Sequence, residues 1–488
     1  MCSFAQYNMQ FRNNMLPNSI AELFTNNFPY TPTAEQKILI EKLSEFIIST
    51  EQNKVFLVKG YAGTGKTTIV SVLVKIMPSL KLCSVLLAPT GRAAKVLSSY
   101  SGNPAYTIHK GIYKVSEDDS SYSVSLRENR SKNTIFIVDE ASMIAGDTAN
   151  PSQLFPASNL LGDLLTFVFS NENCSLIFVG DSAQLPPVGT DISPALDEKQ
   201  LKRNFHLSVQ SFELTEVVRQ EEASGILANA THIRKLVYAP TFKHDFFETA
   251  GFKDVIRLDG SELEDAMNSA YCGSGDHESI IICRSNKRAN LYNNEIRKRL
   301  LFREGDINAG DKIMIVKNNY FWISKKSKAG FIANGDIAEI LRIRKIEQFT
   351  DEFTFADASI RLVDYPEEKD IDAKLLLNTL NSESPSLPNA DFRKLFNAVA
   401  ENYAHIPEKY KRFKLIYKDP YLNALQVKFA YAMTCHKTQG GQWEHVFVEQ
   451  GYLTDEMVNR EYLRWLYTAV TRSTKKLYLV NFNDRFFR

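Results

Sequence analysis

The residues Gly60-Tyr61-Ala62-Gly63-Thr64-Gly65-Lys66-Thr67 fit the pattern GxxxxGK[ST]. An apolar run precedes them and the helical pattern TIVSVLVKIM follows, the context in which such a loop cradles phosphates. Glycines let successive backbone N–H groups converge on anionic oxygens, and the helix start adds its positive dipole end. Lys66 is expected to reach the β- and γ-phosphates of a nucleotide and the Thr67 hydroxyl to ligate Mg²⁺. Thr68, the next residue, joins the expected nucleotide-binding set.

About 75 residues further on, the run Ile135-Phe136-Ile137-Val138 ends in the adjacent carboxylates Asp139 and Glu140. A strand ending there brings both to the carboxyl edge of a sheet, where α/β proteins bind ligands. Asp139 is expected in the magnesium shell and Glu140 as the base that orients and deprotonates the attacking water, because water alone is a poor nucleophile. A third apolar run ends in Val179-Gly180-Asp181-Ser182-Ala183-Gln184. The Gln184 amide is a candidate sensor of the γ-phosphate, although a Gln before two prolines is ordinarily only a turn.

Short continuous apolar runs at 54–59, 84–88, 134–138 and 176–179 read as parallel strands covered on both faces. Runs at 280–283, 312–316, 446–449 and 477–480 repeat the pattern in the second half. The expected fold is therefore α/β: two tandem parallel-sheet P-loop domains at 31–220 and 221–488 after an N-terminal extension, 1–30. Polar residues 113–133 read as a small hairpin inserted in the first domain, and 337–423, which alternates apolar and polar residues, as a β-rich insertion in the second. Within that insertion, Lys409-Tyr410-Lys411-Arg412-Phe413-Lys414 interleaves cations and aromatics, suited either to a single strand or to a solvated helix. Trp322 reads as core.

The 58 Lys+Arg and 57 Asp+Glu leave a formal charge of +1, which excludes a globally polybasic chain and an acidic solvating one. Six cysteines at 2, 83, 174, 272, 283 and 435 contain no CxxC pair, arguing against zinc, iron–sulfur or disulfide frameworks. No apolar run approaches the roughly 20 residues of a membrane helix, and the N-terminus has no secretory pattern. A reducing, cytoplasmic setting is expected (nucleoid-associated in a bacterial cell).

In chain order, TAEQ (33–36), GYAGTGKT, APTGRAAKVL (88–97), TIHKGI (107–112), IVDEASM, GDSAQLPPVG, LTEVVRQ (214–220), NGD (334–336), TCHKTQGGQW (434–443) and YTAVTRS (467–473) resemble the motifs of superfamily 1B DNA helicases, the RecD-like, Dda-like and Pif-type branch. That resemblance covers nearly the whole chain. It implies RecA-like domains, ATP and Mg²⁺, and strand separation in the 5′ to 3′ direction. It implies an SH3-like character for the second insertion and a strand-splitting pin for the hairpin. It also assigns roles. Gln36 would read adenine, and Arg219 and Arg472 would be arginine fingers on the γ-phosphate. Pro89, Thr90, Arg92, Thr107 and His109, with Thr434, His436, Lys437, Thr438 and Gln439, would form the strand-facing surface. The implied partners are single-stranded DNA and single/double-strand junctions, met by a monomeric motor. Only 16 residues follow Arg472, so no nuclease domain is expected after the motor. An RNA-directed motor, or an ATP-gated binding and remodelling module that does not unwind, remains an alternative on the residues alone.

Overall fold

The computed structural model describes residues 16–118, 121–146, 159–217, 224–242, 244–275, 278–323, 327, 331–365 and 367–488. Arg219 lies outside them. The chain lays down β1 (Lys54–Gly60), β2 (Cys83–Ala88) and β3 (Ala105–Thr107), then a hairpin of β4 (Tyr113–Asp118) and β5 (Ser121–Leu126). Strands β6 (Thr134–Val138), β7 (Ser175–Gly180) and β8 (Ser208–Leu214) complete a six-stranded sheet of order β3-β2-β6-β7-β1-β8. Every pairing given for that sheet is parallel. All residues of β6 and β7 are buried, which is why they carry no polar alternation.

The second half opens with β9 (Val255–Leu258) and β10 (Ser279–Cys283). Strands β11 (Lys312–Ile315), β12 (Ile337–Phe349), β13 (Phe353–Leu362), β14 (Ile371–Leu376) and β15 (Leu425–Phe429) then close into a barrel. After it, β16 (Ala432–Thr434), β17 (Trp443–Glu449) and β18 (Ser473–Val480) return to a five-stranded parallel sheet, β16-β10-β17-β18-β9. The architecture is two RecA-like parallel sheets with a small barrel.

Run 312–316, expected in the second parallel sheet, instead supplies barrel strand β11, antiparallel to both β12 and β15. Its apolar residues are buried on both sides because barrel and sheet share one core, in which Ile313, Ile315 and Val427 join Ile281, Phe447 and Tyr478. Periodicity cannot separate these two ways of covering a strand. The barrel accordingly draws strands from outside 337–423. Trp322 packs against this core and donates its indole N–H to the Asn423 carbonyl at 2.7 Å.

Two compact units emerge: 1–89, 93–112 and 126–222 form one, and 90–92, 113–125 and 223–488 the other. The hairpin thus interrupts the first sheet in sequence but groups with the second unit. Among the described residues no helix is long and apolar enough to cross a membrane.

Candidate functional site

Register builds the site in the first unit. Lys59 pairs with Gly180, Gly60 with Leu214, Leu87 with Val138 and Ala88 with Thr107, so these strands end at one carboxyl edge. The Asp139 N–H continues the ladder by donating to the Leu87 carbonyl at 3.0 Å.

After β1 the chain turns through Gly63 (φ 78°) and Gly65 (φ 85°) into the helix Lys66–Ile76. Those angles lie in the left-handed region that glycine tolerates best. A Cβ on Gly65 would also lie 2.5 Å from Gln36 Nε2. Thr64 is fully buried, its hydroxyl donating to the Tyr61 carbonyl at 2.8 Å. The Lys66 ammonium donates to the Gly60 and Tyr61 carbonyls at 2.6 and 2.7 Å. Ala62 is half-buried and Thr67 exposed, while the Thr68 hydroxyl accepts from Tyr30 at 3.3 Å.

Gln36 is buried with both ends of its amide occupied. Its oxygen accepts the Thr33 N–H at 3.0 Å in a capping box, and its nitrogen donates to the Thr64 carbonyl at 3.1 Å. Through these bonds the residue expected to read adenine also braces the loop. Next to it, Glu35 accepts from the Thr215 N–H (2.6 Å), the Thr215 hydroxyl (2.5 Å) and the Glu216 N–H (2.8 Å), fastening the segment that leads towards Arg219.

Asp139 Oδ1 accepts the Glu140 N–H at 2.9 Å and Oδ2 accepts the Tyr100 hydroxyl at 2.5 Å. Burial pushes the Asp139 carboxyl above its ordinary range, opposed by the Tyr100 and Glu140 hydrogen bonds and by the Lys66 charge. Burial, and then the Asp139 charge, raise the Tyr100 phenol. Glu140 is held at φ 50°, ψ 36°, a left-handed conformation that a glutamate adopts only when its surroundings impose it. Gln184 is buried in the turn after β7, its backbone N–H donating to the Asp181 carbonyl at 3.4 Å. Sequence alone does not single out Tyr100, Glu35 or Tyr30; Tyr100 lies in a helical pattern where an aromatic ordinarily means core.

The strand-facing candidates divide by burial. Pro89 and Thr90 are half-buried in the turn after β2. Arg92, within the second unit, lies 4.0 Å over the Trp443 ring and donates to the Gln442 carbonyl at 2.7 Å. Thr107 is buried and its hydroxyl accepts the Lys110 N–H at 3.2 Å, a capping role. Burial lowers the His109 imidazole to about 4, leaving it neutral near pH 7. Thr434 stands at the N-cap position of the short helix Cys435–Thr438 without a side-chain capping bond and is half-buried. His436 is lowered by burial, and the Lys437 ammonium, lowered to about 8 by burial, donates to Asn334 Oδ1 at 2.7 Å. Thr438 and Gln439 are buried, the former with its hydroxyl on the Cys435 carbonyl at 2.8 Å. The Thr107 and Thr438 hydroxyls each hold a neighbouring backbone group.

Arg472 is also buried. Its guanidinium donates to the Thr468 carbonyl at 3.0 Å, the Gly441 carbonyl at 3.2 Å and the Thr471 hydroxyl at 3.2 Å.

Sheet, loop and paired carboxylates define a P-loop NTPase core. Residues 33–236 match the AAA domain family, and residues 429–480 match the UvrD-like helicase C-terminal domain. The chain is similar to the superfamily 1B helicases along most of its length. It is 23% identical to the "Uncharacterized protein R530" of Acanthamoeba polyphaga mimivirus, over 91% of this chain and 98% of that one. It is 26% identical to the "ATP-dependent DNA helicase dda" of Enterobacteria phage T4, over 87% and 93% respectively. Among solved structures, the Pif1 helicase of Candida albicans aligns over 93% of this chain and 95% of its own, with 14% identity and a TM-score of 0.44.

Proposed function

We propose that the protein is an ATP-driven DNA helicase that moves 5′ to 3′ along a single strand and separates duplex ahead of it. The convergence of Lys66, Asp139 and Glu140 at one sheet edge carries this reading. It is supported by the UvrD-like helicase match and by the phage relative, itself named an ATP-dependent DNA helicase.

In this mechanism Mg·ATP is the substrate. A hydroxyl at Thr67 and a carboxylate at Asp139 form the hard-oxygen donor set that magnesium prefers. Bound Mg²⁺ would neutralise charge developing on the phosphates. Lys66 would exchange two neutral carbonyl partners for phosphate oxygens, a gain because charge-assisted hydrogen bonds are the stronger. Glu140 would orient and deprotonate the attacking water. Arg219 and Arg472 would stabilise γ-phosphate charge, which requires Arg472 to leave its carbonyl partners. The β4–β5 hairpin would be the wedge.

Unwinding of tailed duplexes is the test. Strand release that needs ATP, Mg²⁺ and a 5′ DNA tail is the expected result. Release from 3′ tails, a preference for RNA tails, or hydrolysis without release would each overturn the corresponding element.

A further inference from the structure

Two ammonium groups of the second unit, one buried and one half-buried, stand near one another without an acid. Lys428 lies on β15 between Val427 and Phe429, which face the shared core. Its side chain is therefore on the opposite face of the strand, beside Gln426, and is 5% exposed. Its ammonium donates to the Ser382 carbonyl, and Gln426 Oε1 accepts the Leu387 N–H at 2.9 Å, so residues 382–387 lie over this face. Lys428 pairs in register with Met314 of β11. The next residue, Ile315, donates its N–H to the Asp336 carbonyl at 2.9 Å and accepts the Gly335 N–H at 2.8 Å. That turn brings in the second cation, because Asn334 Oδ1 accepts from the Lys437 ammonium at 2.7 Å.

An ammonium carries three donors. Among the described residues, each of these two makes one hydrogen bond, to a neutral oxygen, and neither forms an ion pair. The acids nearest in sequence to those acceptors are otherwise engaged: Glu383 lies 3.9 Å from Lys287, and Asp336 accepts the Ala333 N–H at 2.7 Å. Burial, and then repulsion by Lys437, lower the Lys428 ammonium to about 8, and burial lowers Lys437 to about 8. A buried charge is ordinarily paired, because leaving water uncompensated is costly. Nor does the fold need Lys428 at Ser382. The Ser382 carbonyl also accepts from Asn290 Nδ2 at 3.0 Å, which holds the Asn381 carbonyl at 2.9 Å as well. Lys428 can therefore leave without orphaning that oxygen.

We propose that Lys428 and Lys437 are two arms of one site for a phosphate-class anion. Such an anion would exchange neutral acceptors for charge-assisted hydrogen bonds and cancel the repulsion between the two ammonium groups. A phosphodiester of the single strand and free inorganic phosphate both offer that chemistry. Lys437 belongs to the strand-facing set, so the strand source rests on the proposed function. Lys428 extends that set onto the barrel, where no motif points.

The test compares the full chain with Lys428→Met and Lys428→Arg. With labelled oligothymidylate titrated between about 50 and 200 mM salt, Lys428→Met should flatten the slope of log K against log salt by about 0.7, the share of one single-strand phosphate contact. Lys428→Arg should keep the slope. In the second arm inorganic phosphate is added without DNA, against chloride at matched ionic strength. Phosphate should raise the Tm of the unmodified chain and of Lys428→Arg by more than that of Lys428→Met. With neither anion present, Lys428→Met should keep or gain Tm, because a repelled charge is removed and Asn290 retains the Ser382 carbonyl. A flattened slope assigns the site to the strand, and a Lys428-dependent phosphate shift with an unchanged slope assigns it to free phosphate. If Lys428→Met alters neither response, the proposal is overturned, and a lower Tm alongside that result makes Lys428 a structural tie to Ser382. If the unmodified chain binds no oligothymidylate, the proposed function fails, while the phosphate arm still decides this site.

Discussion

The Tyr100 hydroxyl donates to Asp139 Oδ2 at 2.5 Å, while the other carboxylate oxygen takes the backbone N–H of Glu140. The phenol therefore fixes the plane of the carboxylate proposed to face magnesium. Tyr100→Phe keeps the ring and removes that bond. The Mg²⁺ concentration for half-maximal ATP turnover should rise about tenfold, within the range for outer-sphere partners of metal ligands. Binding of ATP measured without Mg²⁺ should not change. An unaltered Mg²⁺ requirement removes Tyr100 from the site.

Lys66→Ala should abolish ATP turnover, because the phosphates lose their main cation. Near-normal turnover would refute the phosphate-loop reading.

Glu140→Gln should bind Mg·ATP and fail to hydrolyse it. Glu140→Gly should be equally inactive without lowering Tm, because glycine adopts φ 50° at little cost, whereas strain there costs the glutamate on the order of 1 kcal/mol. A clear drop in Tm for the glycine variant would contradict the strain.

Gly65→Ala should lower Tm and weaken ATP binding together, since the new methyl meets Gln36 Nε2 at 2.5 Å in a left-handed backbone. A Gln36→Ala change in the same chain should relieve the contact but not the dihedral, restoring ATP affinity only in part by calorimetry.

Arg472→Ala should slow turnover with a modest effect on nucleotide affinity. It should also reduce Tm, because a buried guanidinium with three acceptors is lost. Arg219→Ala should share the kinetic effect. Wild-type turnover in both variants would remove the arginine-finger assignment.

Acid should act through His109. Its folded pKa of about 4 lies below the ordinary 6.5, so below pH 6.5 the unfolded chain takes a proton that the folded one refuses. This group's contribution declines as pH falls from 6.5 to 4, by on the order of 3 kcal/mol, and is flat above 6.5. His109→Gln should lose less stability over that window in denaturant titrations at stepped pH. Parallel curves for the two proteins would exclude the imidazole as the cause.

The strands bearing Gly60, Asp139 and Gly180 are legible in the sequence because a continuous apolar run ending in Gly or paired acids fits a buried parallel strand and little else. β8 is less legible: its SVQSFEL is half-exposed and polar. β3 and β16 are three residues each, too short for a pattern. The barrel's first strand, 312–315, reads as part of the parallel sheet because burial on both faces looks alike whether the cover is helix or sheet. At the site, residue types announce Lys66 and Asp139. The partners that hold them are tertiary: Tyr100 lies 39 residues before Asp139, and Gln36 lies 28 before Thr64. Thr107 and Thr438 match a motif, yet their hydroxyls cap backbone, which only coordinates reveal.

The seam between β11 and β15 joins Ile313 to Phe429, 116 positions apart. A nascent chain therefore cannot complete this barrel until Phe429 has left the ribosome, and β11 to β14 must wait as an open sheet whose outer strands, β11 and β14, each lack the partner that β15 supplies. Such delayed, long-range closure slows folding and exposes sticky edges. Chaperone dependence during synthesis should accordingly concentrate in this stretch, while the first sheet matures early.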